Sequence, residues 1–433
     1  MADRRLGDDC AEEPDDHRDR AHGPAPVPGR RLQAQTRVPE DRSRDPAHGR
    51  GAAGPDRDHG RPCDAADPAA GQWARNVGRR GRVVRAEQVI RSVRQMAVAR
   101  GAGYGTLALL LLVVTFALGA SIGETPIPVT VVGQTVANHL FGASYELDPI
   151  EAGIVWNYRL SRAVVAACCG AALALSGVIL QALLRNALAD PYILGISAGA
   201  STGAVSVAIL GIGGGAISLS FGAFVGSLAA FAFVALLARG AGRGKGQIIL
   251  AGVAGSQLFN ALTSFIVTKS ASAEQVRGIM FWLLGNLSGV RWPDGALALP
   301  AAAIGTCVCL WYARALDAFT FGTDSAASLG IAVWRVQALL IAAAALMTAV
   351  MVSIVGSIGF VGLVIPHAAR LVVGVRHSRL IPASALVGAV FLVVSDVVSR
   401  TVISGQVLPI GVVTALVGAP AFAFILVQGQ RKS

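Results

Sequence analysis

Charge is what this 433-residue chain most lacks: Asp, Glu, Lys and Arg together make up 15% of it, against about 25% in an average soluble domain. Aromatic residues reach only 6%, while 53% of the residues are hydrophobic and the mean hydropathy is +0.57. Chemistry is thin as well. The six cysteines, Cys10, Cys63, Cys168, Cys169, Cys307 and Cys309, form no CxxC pair, and the last four lie inside apolar runs as small hydrophobes. No metal site is expected from them. The nearest approach to a phosphate-binding loop is Arg239–Gly246, RGAGRGKG. It has Arg where the first Gly belongs and Gly246 where Ser or Thr would meet the magnesium ion, so no nucleotide site is expected. Four of the seven histidines fall in the first hundred residues, His139 and His377 fall in loops, and His367, beside Pro366, is a capping or packing residue. No two carboxylates share an apolar run. A charge at mid-span costs on the order of 3 kcal/mol, and ion-driven carriers keep ionisable groups there to hold the coupling ion. The runs in this chain are clean at their centres. Catalysis, cofactor binding and ion coupling are therefore not expected, and energy must come from another subunit.

The formal charge of +11 suggests nucleic-acid binding only until it is located. From residue 101 onward 17 Lys/Arg face 10 Asp/Glu, nearly all of them between apolar runs, which is the pattern of basic loops in a polytopic membrane protein. Residues 1–100 differ in kind: 20 Arg, 16 Asp/Glu, no Lys, and much Pro, Gly and Ala. Such a segment cannot bury enough apolar surface to offset its ordering entropy, so disorder is expected. It is not a signal peptide, since it has no compact apolar core. Two readings stand: a regulatory or lipid-touching cytoplasmic arm, or a spurious extension from an upstream in-frame start, with Met96 just before the first apolar run.

Arg159–Gly203 organises the rest. Arg159 and Arg162 precede an uncharged run to Leu184, long enough to cross about 30 Å of hydrocarbon as a helix. Arg185, Asn186, Asp190 and Pro191 break it, and a second run begins at Tyr192. There Gly195, Gly199 and Gly203 recur every fourth residue, which predicts a helix face open to close packing. About ten such runs are expected, near 104–122, 159–184, 192–211, 216–238, 247–268, 295–313, 335–355, 358–375, 380–402 and 407–428. Val276–Gly289 is too short to cross and is expected to lie at the surface or re-enter. With the N-terminus inside, eleven Lys/Arg fall on inner segments and six on outer ones, as the positive-inside rule requires, so both termini are expected in the cytoplasm. Arg159, Arg162 and Arg400 then sit outside against that bias. The residues alone leave two explanations: an Asp396–Arg400 helix-end pair with the other two snorkelling to headgroups, or a cationic outer surface for an acidic partner protein.

Five segments resemble one known family. They are Arg159–Ala200, ILAGVAGSQ at Ile249–Gln257, FWLLGNLSGVRW at Phe281–Trp292, SIGFVGLVIPHAARLVVG at Ser357–Gly374 and LPIGVVTALVGAPAFAFIL at Leu408–Leu426. In order and over essentially residues 104–428, they are similar to the FecCD-type permease subunits of binding-protein-dependent ABC importers for iron–siderophores, haem and vitamin B12. The resemblance does not reach the first hundred residues. It implies an all-α, BtuC-like permease fold with about ten transmembrane helices in the cytoplasmic membrane. It also implies a second permease subunit in a homo- or heterodimer, two cytoplasmic ABC ATPase subunits, and an extracytoplasmic binding protein whose acidic residues meet Arg159, Arg162 and Arg400. A ferric siderophore is the expected cargo, with haem or cobalamin as alternatives, and no cofactor is implied. Asp324, Ser325, Ala326, Ala327, Ser328, Leu329 and Gly330 look like the loop that couples to the ATPase; small residues let a short helix seat there, and Gly330 can end it. Asp324 stands where family members often have Glu. Gly244, Lys245 and Gly246 occupy the place of the family's cytoplasmic gate, where small hydroxyl residues are usual; this departure leaves open whether a lysine there repels a cationic cargo or attracts an anionic one.

Overall fold

A computed structural model of the chain describes residues 103, 105–123, 125–240, 245–270 and 272–430; the Arg-rich arm expected at 1–100 lies outside the described residues, as does Gly244. Among the described residues every regular element is helical. In chain order they are α1 (Gly105–Ser121), α2 (Val129–Phe141), α3 (Pro149–Gly153), a π-helical stretch (Ile154–Leu160), α4 (Ser161–Leu184), a 3-10 turn (Pro191–Leu194) and α5 (Ile196–Ala208). There follow α6 (Leu219–Gly240), α7 (Lys245–Ser270), α8 (Ala273–Leu283), α9 (Trp292–Trp311), α10 (Ala313–Phe321), α11 (Thr323–Ser328), α12 (Val333–Val355), α13 (Val361–Val373), α14 (His377–Thr401) and α15 (Ile410–Gln430).

Each of the ten expected runs contains a helix, and among the described residues six helices are long and apolar enough to cross a membrane. The others, α1, α5, α13 and the apolar part of α15, are shorter, with 13 residues each in α5 and α13. Two of the expected boundaries therefore change. The run from Tyr192 opens as a 3-10 turn, and Gly195, at φ 77°, separates it from α5; the run from Ile358 becomes helical only after Phe360, itself at φ 69°. Helices of about 20 Å broken by irregular backbone are tolerated at membrane depth only where protein or a water-filled cavity covers the freed polar groups. Val276–Gly289 is helical only as far as Leu283.

The central pillar is α4. Of its 24 residues, 22 are buried, because its Ala-, Gly- and Ser-rich sequence lets neighbours approach on every side. A Cβ on Gly170 would stand 2.0 Å from the Gly388 carbonyl of α14, and one on Gly177 would stand 1.9 Å from the Gly362 carbonyl of α13. Small-residue contacts of this kind replace the hydrophobic drive that is absent between helices in lipid. The predicted glycine face of α5 works the same way at two of its three positions: Gly199 and Gly203 meet the Gly226 and Gly222 carbonyls of α6, at 2.3 and 2.0 Å from a notional Cβ. Gly195 faces α6 less tightly, with Val234 and Ala230 at 3.2 and 3.8 Å from a notional Cβ, and it is the left-handed residue that starts the helix, not part of its interior.

Aromatic side chains mark helix ends. Trp292 and Trp311 bracket α9, whose 20 residues span about 30 Å. Trp156 stacks on His139 at 4.1 Å and meets Trp292 at 4.9 Å, and Tyr158 lies under the Arg291 guanidinium at 4.2 Å. Such rings favour the headgroup level, with an apolar body and a polar edge.

Candidate functional site

Chemistry-bearing side chains gather at both ends of the bundle. At the end formed by the start of α4 and the close of α1 and α14, the structure brings Arg159, Arg162 and Arg400 together. The π-helical stretch widens the turn on which Arg159 sits, and its guanidinium turns towards α1. There it donates to the carbonyls of Ala120 at 3.1 Å and Ser121 at 2.8 Å, to the Thr125 carbonyl, and to Thr125 Oγ1 at 3.0 Å. Arg400 donates to the carbonyls of Gly119 at 2.9 Å and Ile122 at 3.0 Å. The last carbonyls of α1 have no intrahelical partner, so these two side chains cap that helix and meet the negative end of its dipole. Arg162 turns instead towards α14, donating from Nε to Asp396 Oδ1 and from Nη1 to Ser288 Oγ at 3.3 Å. Asp396 Oδ2 lies 3.1 Å from Arg400 Nε, close enough for charge attraction but off the line that a hydrogen bond needs.

All three arginines are buried, with 7% exposure for Arg159 and 9% each for Arg162 and Arg400; Asp396 is 1% exposed. The arrangement departs from the first explanation left open by the sequence. The helix-end pair exists, but Arg162 shares its carboxylate, and none of the three snorkels into open space. Three cations stand against one carboxylate and one helix end worth about half a negative charge, so the cluster retains a surplus of positive charge.

At the opposite end, Asp324–Gly330 forms the short helix α11 and its close. Ala326 is fully buried, whereas Asp324, Ser325, Ala327, Ser328, Leu329 and Gly330 are exposed, Leu329 at 72%. The Gly330 N–H bonds to the Ala327 carbonyl at 2.9 Å with φ at 79°, a left-handed close that glycine makes without strain. Of the expected gate residues, Lys245 and Gly246 are not loop: they open α7, and Gly246 is exposed.

Sequence reasoning missed three features. The first is a junction of irregular backbone at the breaks before α5 and α13. Tyr192 Oη accepts from the Ile358 N–H at 2.8 Å and donates to its carbonyl at 3.0 Å, and Ser197 Oγ lies 2.8 Å from Ser357 Oγ. The second is a polar stripe on α7: Gln257, Asn260 and Ser264 are exposed, three or four residues apart, along an otherwise apolar helix whose neighbours Leu250, Val253 and Phe265 are exposed too. The spacing was visible; only the exposure says that this face has no partner among the described residues. The third is Asp317 in α10, whose Oδ1 accepts the His377 N–H at 2.9 Å and lies 2.7 Å from His377 Nδ1. Among the described residues no three His, Cys, Asp or Glu side chains cluster as metal ligands.

A bundle of this form, with broken short helices around a glycine-packed pillar and several helices long and apolar enough to cross a membrane, is that of a polytopic membrane protein. Residues 110–428 match the profile of the FecCD transport family, and the chain belongs to that family. It is 41% identical over 327 residues to the ABC transporter permease protein YvrB of Bacillus subtilis, covering 74% of this chain and 92% of that protein. The cobalamin import system permease protein BtuC of Halobacterium salinarum is 38% identical over 369 residues, covering 76% and 97% of the two chains. The vitamin B12 import system permease protein BtuC of Citrobacter koseri is 38% identical over 280 residues, covering 64% and 84%. Among solved structures, a metal-chelate type ABC transporter in an inward-facing conformation superposes with a TM-score of 0.64 at 31% identity, covering 74% of this chain and 97% of its own. This chain is thus a multi-pass ABC transporter permease of the cell membrane.

Proposed function

We propose that the chain is the membrane-spanning subunit of an ATP-driven importer that moves a large metal chelate inward by alternating access. The observation that carries the reading is the surplus positive charge of Arg159, Arg162 and Arg400. Buried charge is costly unless it is paired, and an acidic side chain from outside would complete the cluster. The end bearing it is then the outer one, both termini are cytoplasmic, and a binding protein docks there through carboxylates. Exposed Leu329 and the small residues of α11 face the cytoplasm and seat in an ATPase subunit that hydrolyses ATP; the permease itself performs no chemistry. Gln257, Asn260 and Ser264 do not suit lipid, so the α7 face lines the pathway against a second permease subunit. Lys245 and Gly246 open that helix at its inner end, where a gate of unusual composition would lie.

The cargo expected from the sequence is a ferric siderophore. The relatives named for cobalamin and vitamin B12 import favour a corrinoid as the second reading. The test is co-purification with a neighbouring ATPase, followed by uptake into proteoliposomes of labelled ferric siderophore, haem and cobalamin. ATP- and binding-protein-dependent uptake of one of them is expected. Transport by this polypeptide alone, driven by an ion gradient, would overturn the reading.

A further inference from the structure

Besides close-packed glycines, α14 carries a polar contact at each end. Its 25 residues span about 37 Å at the ordinary helical rise. Its last turns hold Asp396 and Arg400, both inside the arginine cluster. Its first residue, His377, is 2% exposed and is held from another helix. Asp317 of α10 takes both the His377 N–H, one of the orphan donors of a helix start, and the ring Nδ1 on a single carboxylate oxygen. This is a helix cap supplied in trans. The backbone at Asp317 is held by Leu316 and Phe319, buried at 0% and 2% exposure, while its side chain is 34% exposed. From α10 the chain passes through Gly322 directly into α11, where the Ala326 N–H bonds back to the Gly322 carbonyl at 3.1 Å. Between its two ends α14 is pressed onto α4 through Gly170 and Gly388, so that tilting or sliding it cannot be absorbed by a loose interface.

We propose that α14 is the rod that carries the docking signal from the arginine cluster to α11, and that Asp317 and His377 are the positioning pair at its inner end. The proposal rests on the assignment of the cluster as the docking end and α11 as the ATPase contact, and it deepens that assignment by naming the connection. An acidic side chain entering the cluster competes for Arg400 and Arg162, so Asp396 and the last turn of α14 shift; the helix passes that movement along its length to His377, with Pro382 in its second turn as a hinge. Through the shared carboxylate, that displacement reaches α10 and then α11. Linkage requires the reverse as well: nucleotide on the ATPase must change the affinity at the docking end by the same factor.

The test uses the assembled permease–ATPase complex in lipid nanodiscs with its binding protein. In Asp317→Ala, the stimulation of ATP hydrolysis by binding protein and the nucleotide-dependent change in binding-protein affinity are both expected to fall about fivefold or more, while ATPase retention changes less than about twofold. Asp317→Asn, whose carboxamide oxygen still accepts both contacts, is expected to restore most of the effect, and His377→Gln to behave like Asp317→Ala. Undiminished stimulation in Asp317→Ala and His377→Gln would overturn the proposal. So would loss of assembly in both, which would make the pair a folding tie and nothing more. If wild-type complex neither retains an ATPase nor binds the acidic partner, the underlying assignment fails first, and that result is distinguishable because it needs no substitution.

Discussion

Removal of the Asp396 carboxylate is the sharpest perturbation of the cluster. In the native protein Asp396 is 1% exposed and faces two guanidiniums that are themselves 9% exposed. At about 4 Å and an effective dielectric constant near 20, each such pair attracts by roughly 4 kcal/mol before desolvation is counted. Asp396→Ala keeps the cost of burying Arg162 and Arg400 while deleting that attraction, and breaking one partner of a buried pair typically costs 3–5 kcal/mol. Against a total stability of about 5–15 kcal/mol, that is a large share. The purified variant is expected to aggregate at a temperature well below wild type, followed by size-exclusion chromatography after heating in detergent. Asp396→Asn keeps an acceptor for Arg162 and is expected to fall between the two. It also raises the surplus positive charge, so where it folds its affinity for an acidic binding protein should rise, not drop. An Asp396→Ala protein as heat-stable as wild type would refute the claim that this carboxylate holds the arginines in place.

Gly388→Ala puts a methyl group 2.4 Å from the Gly170 carbonyl, and overpacking of that kind costs about 1–3 kcal/mol. Gly133→Ala on α2, where a Cβ meets nothing within 4 Å, is expected instead to be neutral or to gain up to about 1 kcal/mol; the same heating assay ranks them. Leu329→Glu, at a site 72% exposed, should leave that stability unchanged and weaken ATPase retention on purification. Asp190 accepts the Tyr192 N–H at 2.8 Å in the turn before α5, and burial raises its pKa from 3.8 to about 6. Because the folded value lies above the unfolded one, the folded state holds the extra proton between those values, and stability falls as pH rises from about 4 to about 6. Asp190→Asn, which still caps the turn, should flatten that part of the stability–pH profile.

The helical class and the ten segments were legible because an uncharged run of crossing length has few alternatives in a protein so poor in charge. What was not legible is where a run stops being helical. Tyr192, Ile193 and Leu194 are as apolar as the residues of α5, and only the left-handed Gly195 and the hydroxyl contact with Ile358 reveal the break. Periodicity found the glycine face but could not show that Gly195 starts the helix and lies outside its interior, since a repeat of four does not distinguish the two. The short helix α11 and its close were readable in Gly330 and its small neighbours, which determine local structure directly. Asp317 was not, because its partner lies 60 residues away and nothing in either local sequence announces the other.

The arginines show how residues picked out by the sequence can carry an incomplete structural picture. Spacing and topological bias picked out Arg159, Arg162 and Arg400, and the Asp396–Arg400 relation at four residues was visible on the helix. The partner that matters to Arg162, however, is 234 residues away, and the α1 carbonyls that hold Arg159 are 38 and 39 residues back. Surface cations offered to a partner would tolerate substitution at little cost to the fold; these, which cap α1 and tie α4 to α14, would not. Replacing all three with Glu therefore cannot separate docking from folding, since four carboxylates would crowd a buried site and the bundle would open whatever the binding protein does. Arg159→Lys separates them. A lysine keeps the charge that an acidic partner needs but cannot reproduce the fork that holds the last turn of α1. If Arg159 serves docking by charge, affinity should survive while heat stability drops; loss of affinity in a variant that stays as stable as wild type would mean that the planar group meets the partner itself.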